Sequence, residues 1–346
     1  MTTHVVPYNG CYMTACRYLA EELMPDVITC GEMLIDFVST VSGVTLMEAP
    51  AFEKAPGGAP ANVAVGLARL GVSTGFVGKL GDDDFGRYLQ SVLESNGVDT
   101  SRLQFTSEAR TALAFVSLRE DGEREFVFYR HPSADMLYAP HEVHVPYIAR
   151  ARVFHFGSIT LGADPGASAT LHAAHVAREN GLFVSYDPNL RLNLWPSAEA
   201  AREGMLRGWE YANLIKISEE EAEFLSGTGD LEQAAQDLWH GNLRLLAVTR
   251  GEQGATFFAP GKSGYVPGFP VRAVDTTGAG DAFLAGLLFS LYPNLDRLTQ
   301  GDLDEDELRQ AVRFANAAGA LATTRRGAIP ALPTLEEVQH LLATGD

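Results

Sequence analysis

Short apolar runs return along this chain at intervals that leave room for one helix each. "VITCGEMLIDF" after Pro25 precedes the helix-like "PANVAVGLARLG" and then "TGFVGKLG"; later come "ARVFHFGSI", "LFVSYDP", "LIKIS" and "LRLLAVTRG". Strands of this kind, alternating with helices of about 10–15 residues, predict crossover units and a doubly wound, mostly parallel sheet. One segment breaks the rhythm. "ALAFVSLREDGEREFVFYR" alternates with period two around Asp121 and Gly122, a strong hairpin turn pair. It predicts a small β-sheet projecting from the α/β body, placed as a lid would be.

No repeat, charge block or Gly/Ser tract divides the chain, so a single α/β domain over 27–346 is expected, with a β lid from about 38–55 and 110–131. Residues 1–26 have no basic lead-in and no sustained apolar core, so they read as an extension outside the fold rather than a signal peptide. The 346 residues are 46% apolar, enough for a large core. Against 26 basic residues stand 44 acidic ones, a formal charge of −18. Such a field repels nucleic acid and anionic membrane, so neither is an expected partner, whereas a small phosphorylated ligand can still be held by backbone amides. No apolar run reaches the ~18 residues of a membrane helix. The three cysteines, Cys11, Cys16 and Cys30, lack both disulfide and zinc spacing. A reducing cytoplasm fits them.

Several motifs lead nowhere. "GVSTG" at Gly71–Gly75 matches a hydrolase elbow, but a helix precedes it and a strand follows, the reverse of what the elbow needs. "GKS" at Gly261–Ser263 lacks the first glycine of a phosphate loop, since Thr256 stands there. The pairs His141/His144 and His172/His175 have no third ligand at a telling distance.

Two glycine clusters carry more. In "VDTTGAGDAFLAGLLFSL" the apolar residues from Ala282 to Leu291 recur at helical spacing, so a helix starts near Asp281 and the glycines form its first turn. The orphan amides of Gly278, Ala279 and Gly280, under the positive end of the dipole, suit a phosphoryl group. Asp281 is by default a first-turn acid. Beside an anion-binding turn it is also placed to accept a proton from an attacking hydroxyl, with the dipole favouring its charged form. In "APGGAPANVAVGLARLG", Gly57 and Gly58 allow close approach and Asn62 follows in the first turn of a helix. These groups suit the hydroxyls of a polar ligand.

Together, "GGAPANVA" and "DTTGAGDAF" resemble the two signature regions of the ribokinase-like (pfkB) family of sugar kinases, and the resemblance covers nearly everything after residue 26. It implies a three-layer α/β/α sandwich with a mostly parallel central sheet and a β lid, and it implies ATP, Mg2+ and often a monovalent cation such as K+. Residue by residue, it assigns Asp281 as catalytic base and Gly278, Ala279 and Gly280 as anion hole. Asp36 in "GEMLIDF", with Gly57, Gly58 and Asn62, takes the sugar-binding role. "VTRGEQGATFF" resembles the nucleotide strand and turn, assigning Thr249, Gly251 and Gly254 to ATP, and Asn316 falls near the adenine pocket. "KISEEEAEFL" resembles the family's N-x-x-E region: Glu221 takes the position that orders Mg2+ and its waters, while Ser218 replaces the usual asparagine. Asp275 and Thr277 fall where the family binds the monovalent cation.

"GEREFVFYRHPSADMLY", "FHFGSITL" and "SYDPNLRLNLWPS" look most like the fructokinases of that family, plant ones included, implying fructose as the acceptor. The competing substrate is 2-keto-3-deoxygluconate, whose acid group would need Arg130 or Arg191 as a clamp. A catalytically silent sugar-binding relative is the reading from another class, against which the intact Asp281, glycines and Glu221 stand. Lids in this family often pair across two subunits, so the resemblance implies a homodimer.

Overall fold

The computed structural model describes residues 24–118 and 124–345. Among them the strands are β1 (Val27–Cys30), β2 (Leu34–Ser39), β3 (Phe52–Gly57), β4 (Thr74–Gly81), β5 (Leu103–Thr106), β6 (Ala112–Leu118), β7 (Arg124–Tyr129), β8 (Val153–Gly157), β9 (Phe183–Asp187), β10 (Leu214–Ser218), β11 (Leu245–Thr249), β12 (Gly254–Ala259) and β13 (Lys262–Pro267). Nine form one sheet in the order β13-β12-β11-β10-β9-β8-β1-β4-β5. From β11 to β5 every pair is parallel; β12 and β13 close one edge antiparallel. The parallel strands are buried along nearly their whole length, as their unalternating apolar sequence requires.

Helices cover both faces. α1 (Ala59–Arg69), α5 (Ala279–Leu291) and α6 (Glu305–Thr323) lie on one; α2 (Gly166–Glu179), α3 (Ala198–Trp209) and α4 (Glu219–Ser226) lie on the other. The first group encloses Val63, Leu67, Leu284, Leu287 and Val312, and the second Ala173, Met205 and Leu225, with the sheet between. Contact between α1 and α5 is close: a Cβ at Gly66 would stand 2.7 Å from that of Ala285. Small residues here bring the two helix starts to the same place.

The remaining four strands make the lid, in the order β3-β2-β6-β7. β2 pairs with β6 in parallel, and the flanking pairs are antiparallel. The predicted hairpin is β6–β7; its turn residues Asp121 and Gly122 lie outside the described residues. Phe37 stacks on Phe115 at 5.1 Å and meets Phe85 edge-on, which seats the lid on the body. The lid's first strand begins at Leu34, with three residues between it and the end of β1 at Cys30. Upstream, the Asp26 amide donates to Ser73 O at 3.0 Å and Met24 packs on the core. No helix among the described residues is long and apolar enough to cross a membrane.

Candidate active site

The carboxyl ends of the parallel strands and the starts of α1 and α5 face one cavity of about 200 Å3, the edge at which open α/β sheets hold ligands. Its wall is made by Asp36 of β2, Gly58 and Asn62 of α1, Phe126 and Phe128 of the lid, Arg191, Lys216 of β10, and Gly278, Gly280 and Asp281 of α5. Residues from four distant stretches of sequence therefore share one space.

Asp281 is only 6% exposed, and its Oδ2 accepts a hydrogen bond from Asn62 Nδ2 at 2.7 Å. The two glycine clusters are joined by that bond. α5 begins at Ala279, two residues earlier than its apolar periodicity suggests, with Gly278 as N-cap at φ 78°. Only glycine adopts that conformation without strain, and a Cβ there would also stand 3.0 Å from Ala328. No side chain caps this helix. The Ala279 amide bonds Thr276 O at 3.3 Å, and the next two amides belong to the orphan donors of the turn. Burial pushes the Asp281 carboxyl above its ordinary value, against the opposing pull of Asn62, Lys216 and Arg191. Burial thus outweighs those three groups, and the carboxylate is a better base than a first-turn acid in water.

The Asp36 carboxylate lies against Gly57, where a Cβ would strike its Oδ2 at 2.4 Å. Arg191 lines the cavity, with Nη1 donating to Leu190 O at 2.9 Å. Arg130 is elsewhere. It is 4% exposed, and its guanidinium grips Asp135 through Nε at 2.8 Å and Nη2 at 2.5 Å.

A match to the pfkB family carbohydrate kinase profile runs from residue 24 to 335. The chain belongs to the pfkB family of carbohydrate kinases. It is 54% identical to fructokinase-1 of Zea mays over 317 residues, 91% of this chain and 97% of that one. The crystal structure of fructokinase with bound ATP from Xylella fastidiosa superposes with a TM-score of 0.85 at 38% identity, covering 92% and 99% of the two chains. That of fructokinase from Vibrio cholerae O395 in its fructose, ADP and calcium ion bound form gives 0.80 at 37%, covering 92% and 99%.

In this pfkB kinase Ser218, Glu221, Thr249, Gly251, Gly254 and Asn316 lie near the ends of β10 to β13, outside the wall of the cavity, whereas Asp275 and Thr277 belong to the loop before α5 and Thr277 lines the cavity. Ser218 and Thr249 are paired in register, and Thr249 Oγ1 donates to Ile217 O at 3.3 Å. Gly251 and Gly254 flank one turn of 3-10 helix, and a Cβ at Gly254 would lie 2.2 Å from Val266 O. Asn316 on α6 donates through Nδ2 to Val266 O and Pro267 O at 3.0 and 3.1 Å, tying down the end of β13. Ser218 and Glu221 form a capping box at the start of α4. Of the three adjacent glutamates only Glu221 turns inward, where Oε2 accepts the Ser218 amide at 2.8 Å and Oε1 the Leu190 amide at 2.6 Å. The serine that replaces asparagine is therefore a working N-cap. Asp275 staples its own loop: Oδ1 accepts the amide and hydroxyl of Thr277 at 2.9 and 2.7 Å, and Oδ2 accepts the Gly327 amide at 2.9 Å. His144 serves as the N-cap of Val145–Ile148, where Nδ1 accepts the Tyr147 amide.

Sequence reading missed Lys216 and Asp187, a buried ion pair of 3.0 Å at the cavity. Burial pushes the Lys216 ammonium down, but Asp187, Glu221 and Asp281 together outweigh it, and its pKa is held above the ordinary value. The cation lies against the glycine turn: a Cβ at Gly280 would be 2.8 Å from Nζ. The signal was present in "LIKIS", a charge inside an otherwise apolar strand, which must find a partner.

Proposed function

We propose that this chain is an ATP-dependent fructokinase, transferring the γ-phosphoryl group of ATP to the 6-hydroxyl of D-fructose. The observation that carries the reading is the Asn62–Asp281 bond, which holds a buried carboxylate at the uncapped, glycine-started end of α5. Fructose as acceptor is supported by the names of relatives more than half identical and by the fructose and ADP in the Vibrio cholerae structure.

Asp36, Gly58 and Asn62 hold the sugar's hydroxyls, and Phe126 and Phe128 close over its apolar face. Asp281 accepts the proton of the 6-hydroxyl as its oxygen bonds to phosphorus and the bond to the ADP oxygen breaks; in a loose transition state that proton leaves late. The amides of the Gly278–Gly280 turn and the Lys216 ammonium oppose the charge on the transferring oxygens. Ser218, Thr249, Gly251, Gly254 and Asn316 hold the nucleotide along the strand ends. Magnesium suits the inward-facing carboxylates of Glu221 and Asp187, one oxygen of Asp187 being buried without a partner. When bound with ATP it would neutralise phosphate charge while keeping much of its water shell. Asp275 and Thr277 are the residues for a potassium ion, which would stiffen the loop they already staple.

Asp281→Asn keeps the shape and removes the base. Its kcat should fall about 10²–10⁴-fold with fructose binding retained, and turnover near wild type sinks the assignment. Because the base must be ionised, wild-type kcat/KM should decline as pH falls through the raised Asp281 pKa, at a midpoint above the 3.8 of an ordinary aspartate. Of the two arginines only Arg191 reaches the cavity, so it is the residue that would clamp the acid group of ketodeoxygluconate were that the substrate. ADP release with fructose, ketodeoxygluconate, ribose and nucleosides separates these readings, and no release with any of them would indicate a silent binding protein. A cytoplasmic homodimer accompanies the proposal: Val38, Val127 and Tyr129 of the lid are exposed, and pairing two lids would cover them. Sedimentation at micromolar concentration tests it.

A further inference from the structure

Glu32 has no part in the scheme above, although it lines the same cavity and is only 1% exposed. It sits on the link Gly31–Met33, through which the chain leaves β1 of the body for β2 of the lid. Its Oε1 accepts the Ala59 amide at 3.1 Å. Ala59 opens α1 directly after Gly58, where β3 of the lid returns to the body. The return is packed on the same residue, since a Cβ at Gly58 would lie 2.5 Å from the Glu32 carbonyl oxygen. Arg130, the first residue after β7, and its partner Asp135 are close enough to bias the Glu32 charge in opposite senses. Outgoing and returning stems of the lid therefore meet at one carboxylate.

A surface serine or asparagine would cap a helix at less cost than a buried glutamate, whose Oε2 has no hydrogen-bond partner. What the longer side chain adds is reach across from another strand. One turn along α1 from Ala59, Asn62 holds Asp281 at 2.7 Å. We infer that Glu32 is a positioning residue: by tying Ala59 to the root of the lid it fixes the seat of Asn62, and through Asn62 the orientation of Asp281. The kinetic part rests on Asp281 being the base proposed above; the structural part does not.

The test uses the full chain with E32A, E32D, E32Q, N62A and the E32A/N62A pair. E32Q keeps an acceptor at full reach and should turn over fructose near the wild-type rate. E32A, and E32D which keeps the charge but not the reach, should lose kcat about 10- to 100-fold with a smaller change in KM. Because Glu32 acts through Asn62, E32A/N62A should lose no more than N62A alone. Hydrogen exchange at the amides of Ala59, Ala61 and Asn62 should quicken about tenfold in E32A and stay unchanged in E32Q, with α6 unaffected in both. That measurement needs no substrate, so it decides the tie even if the wild type fails to phosphorylate fructose. Additive losses in the double variant, E32Q as impaired as E32A, or unchanged exchange at these amides in E32A would each overturn the inference.

Discussion

Two opposite kinds of helix start occur in this molecule. α6 opens on a closed box, in which Asp304 Oδ1 accepts the Glu307 amide at 2.8 Å and Glu307 Oε2 accepts the Asp304 amide at 2.9 Å. Thr334 and Glu337 do the same for the helix Leu335–Thr344. α1 and α5 open on Gly58 and Gly278, both at positive φ and neither with a side-chain cap. A cap contributes about 1 kcal/mol and spends the amide donors of the first turn. At α5, leaving it out forgoes that stability and leaves amide donors, with their partial charge, open to a ligand; at α1 the Ala59 amide goes instead to Glu32 from the root of the lid. The two starts that open on a positive-φ glycine are the two that meet at the cavity, and α4 lies between the cases, boxed by Ser218 and Glu221 yet reaching Leu190 with the second carboxylate oxygen.

The comparison breaks most sharply at Gly278. Adding a methyl there puts a non-glycine residue at φ 78° and a Cβ 3.0 Å from Ala328, so the turn must move. Gly301, at the end of Leu295–Gln300, has nearly the same φ, 81°, with nothing within 4 Å of its Cβ position. Both G278A and G301A should lose about 1–2 kcal/mol to backbone strain. Only G278A should also lose kcat, about 100-fold, as donors swing off the phosphoryl position. Thermal unfolding and turnover of the two purified variants check this; equal kcat in both would mean that the open start does no catalytic service.

A second prediction concerns what the cavity costs the fold. Burial raises the Glu32 carboxyl from 4.5 to about 7, with its own backbone amide, Arg130 and Ala59 pulling down and Asp135 pushing up. The folded chain then holds that proton more tightly than the unfolded one, so wild type loses stability as pH rises from about 4.5 to about 7. E32Q carries no charge there. It should match wild type near pH 4.5 and exceed it by up to about 3 kcal/mol above pH 7. Denaturant titrations at the two pH values measure the difference, and a gap that shrinks as pH rises would reverse the sign claimed.

Legibility followed how local each cause is. The parallel strands and their helices were readable because a doubly buried strand must be apolar throughout, and the lid hairpin because a half-covered one must alternate. Asp281 and Asn62 could be placed on helix starts from the spacing of their neighbours, but their contact at 2.7 Å depends on Gly66 and Ala285 letting α1 and α5 approach, which no local pattern records. Arg130 was an unattached cation near the lid in the sequence, free to meet a substrate acid, and only the turn that brings Asp135, five residues on, back to it shows its guanidinium committed. Lys216 lay in plain view as a charge in a buried strand; naming its partner required knowing that β9 and β10 are neighbours, which brings Asp187 beside it.

The smallest expected effect is the one that isolates stability from catalysis. Asp304 caps α6 far from the cavity, on the exposed edge of the layer, and touches no group proposed for the reaction. D304A frees the Glu307 amide to water and should lower stability by about 1 kcal/mol, or roughly 1–3 °C in Tm for a chain of this size. Turnover should not change, because α6 reaches the site only through its packing against α5 and through Asn316, three turns farther along. If D304A did reduce kcat while leaving Tm alone, the capped starts would be coupled to the cavity as well, and the division between open and closed helix ends would no longer map onto function and support.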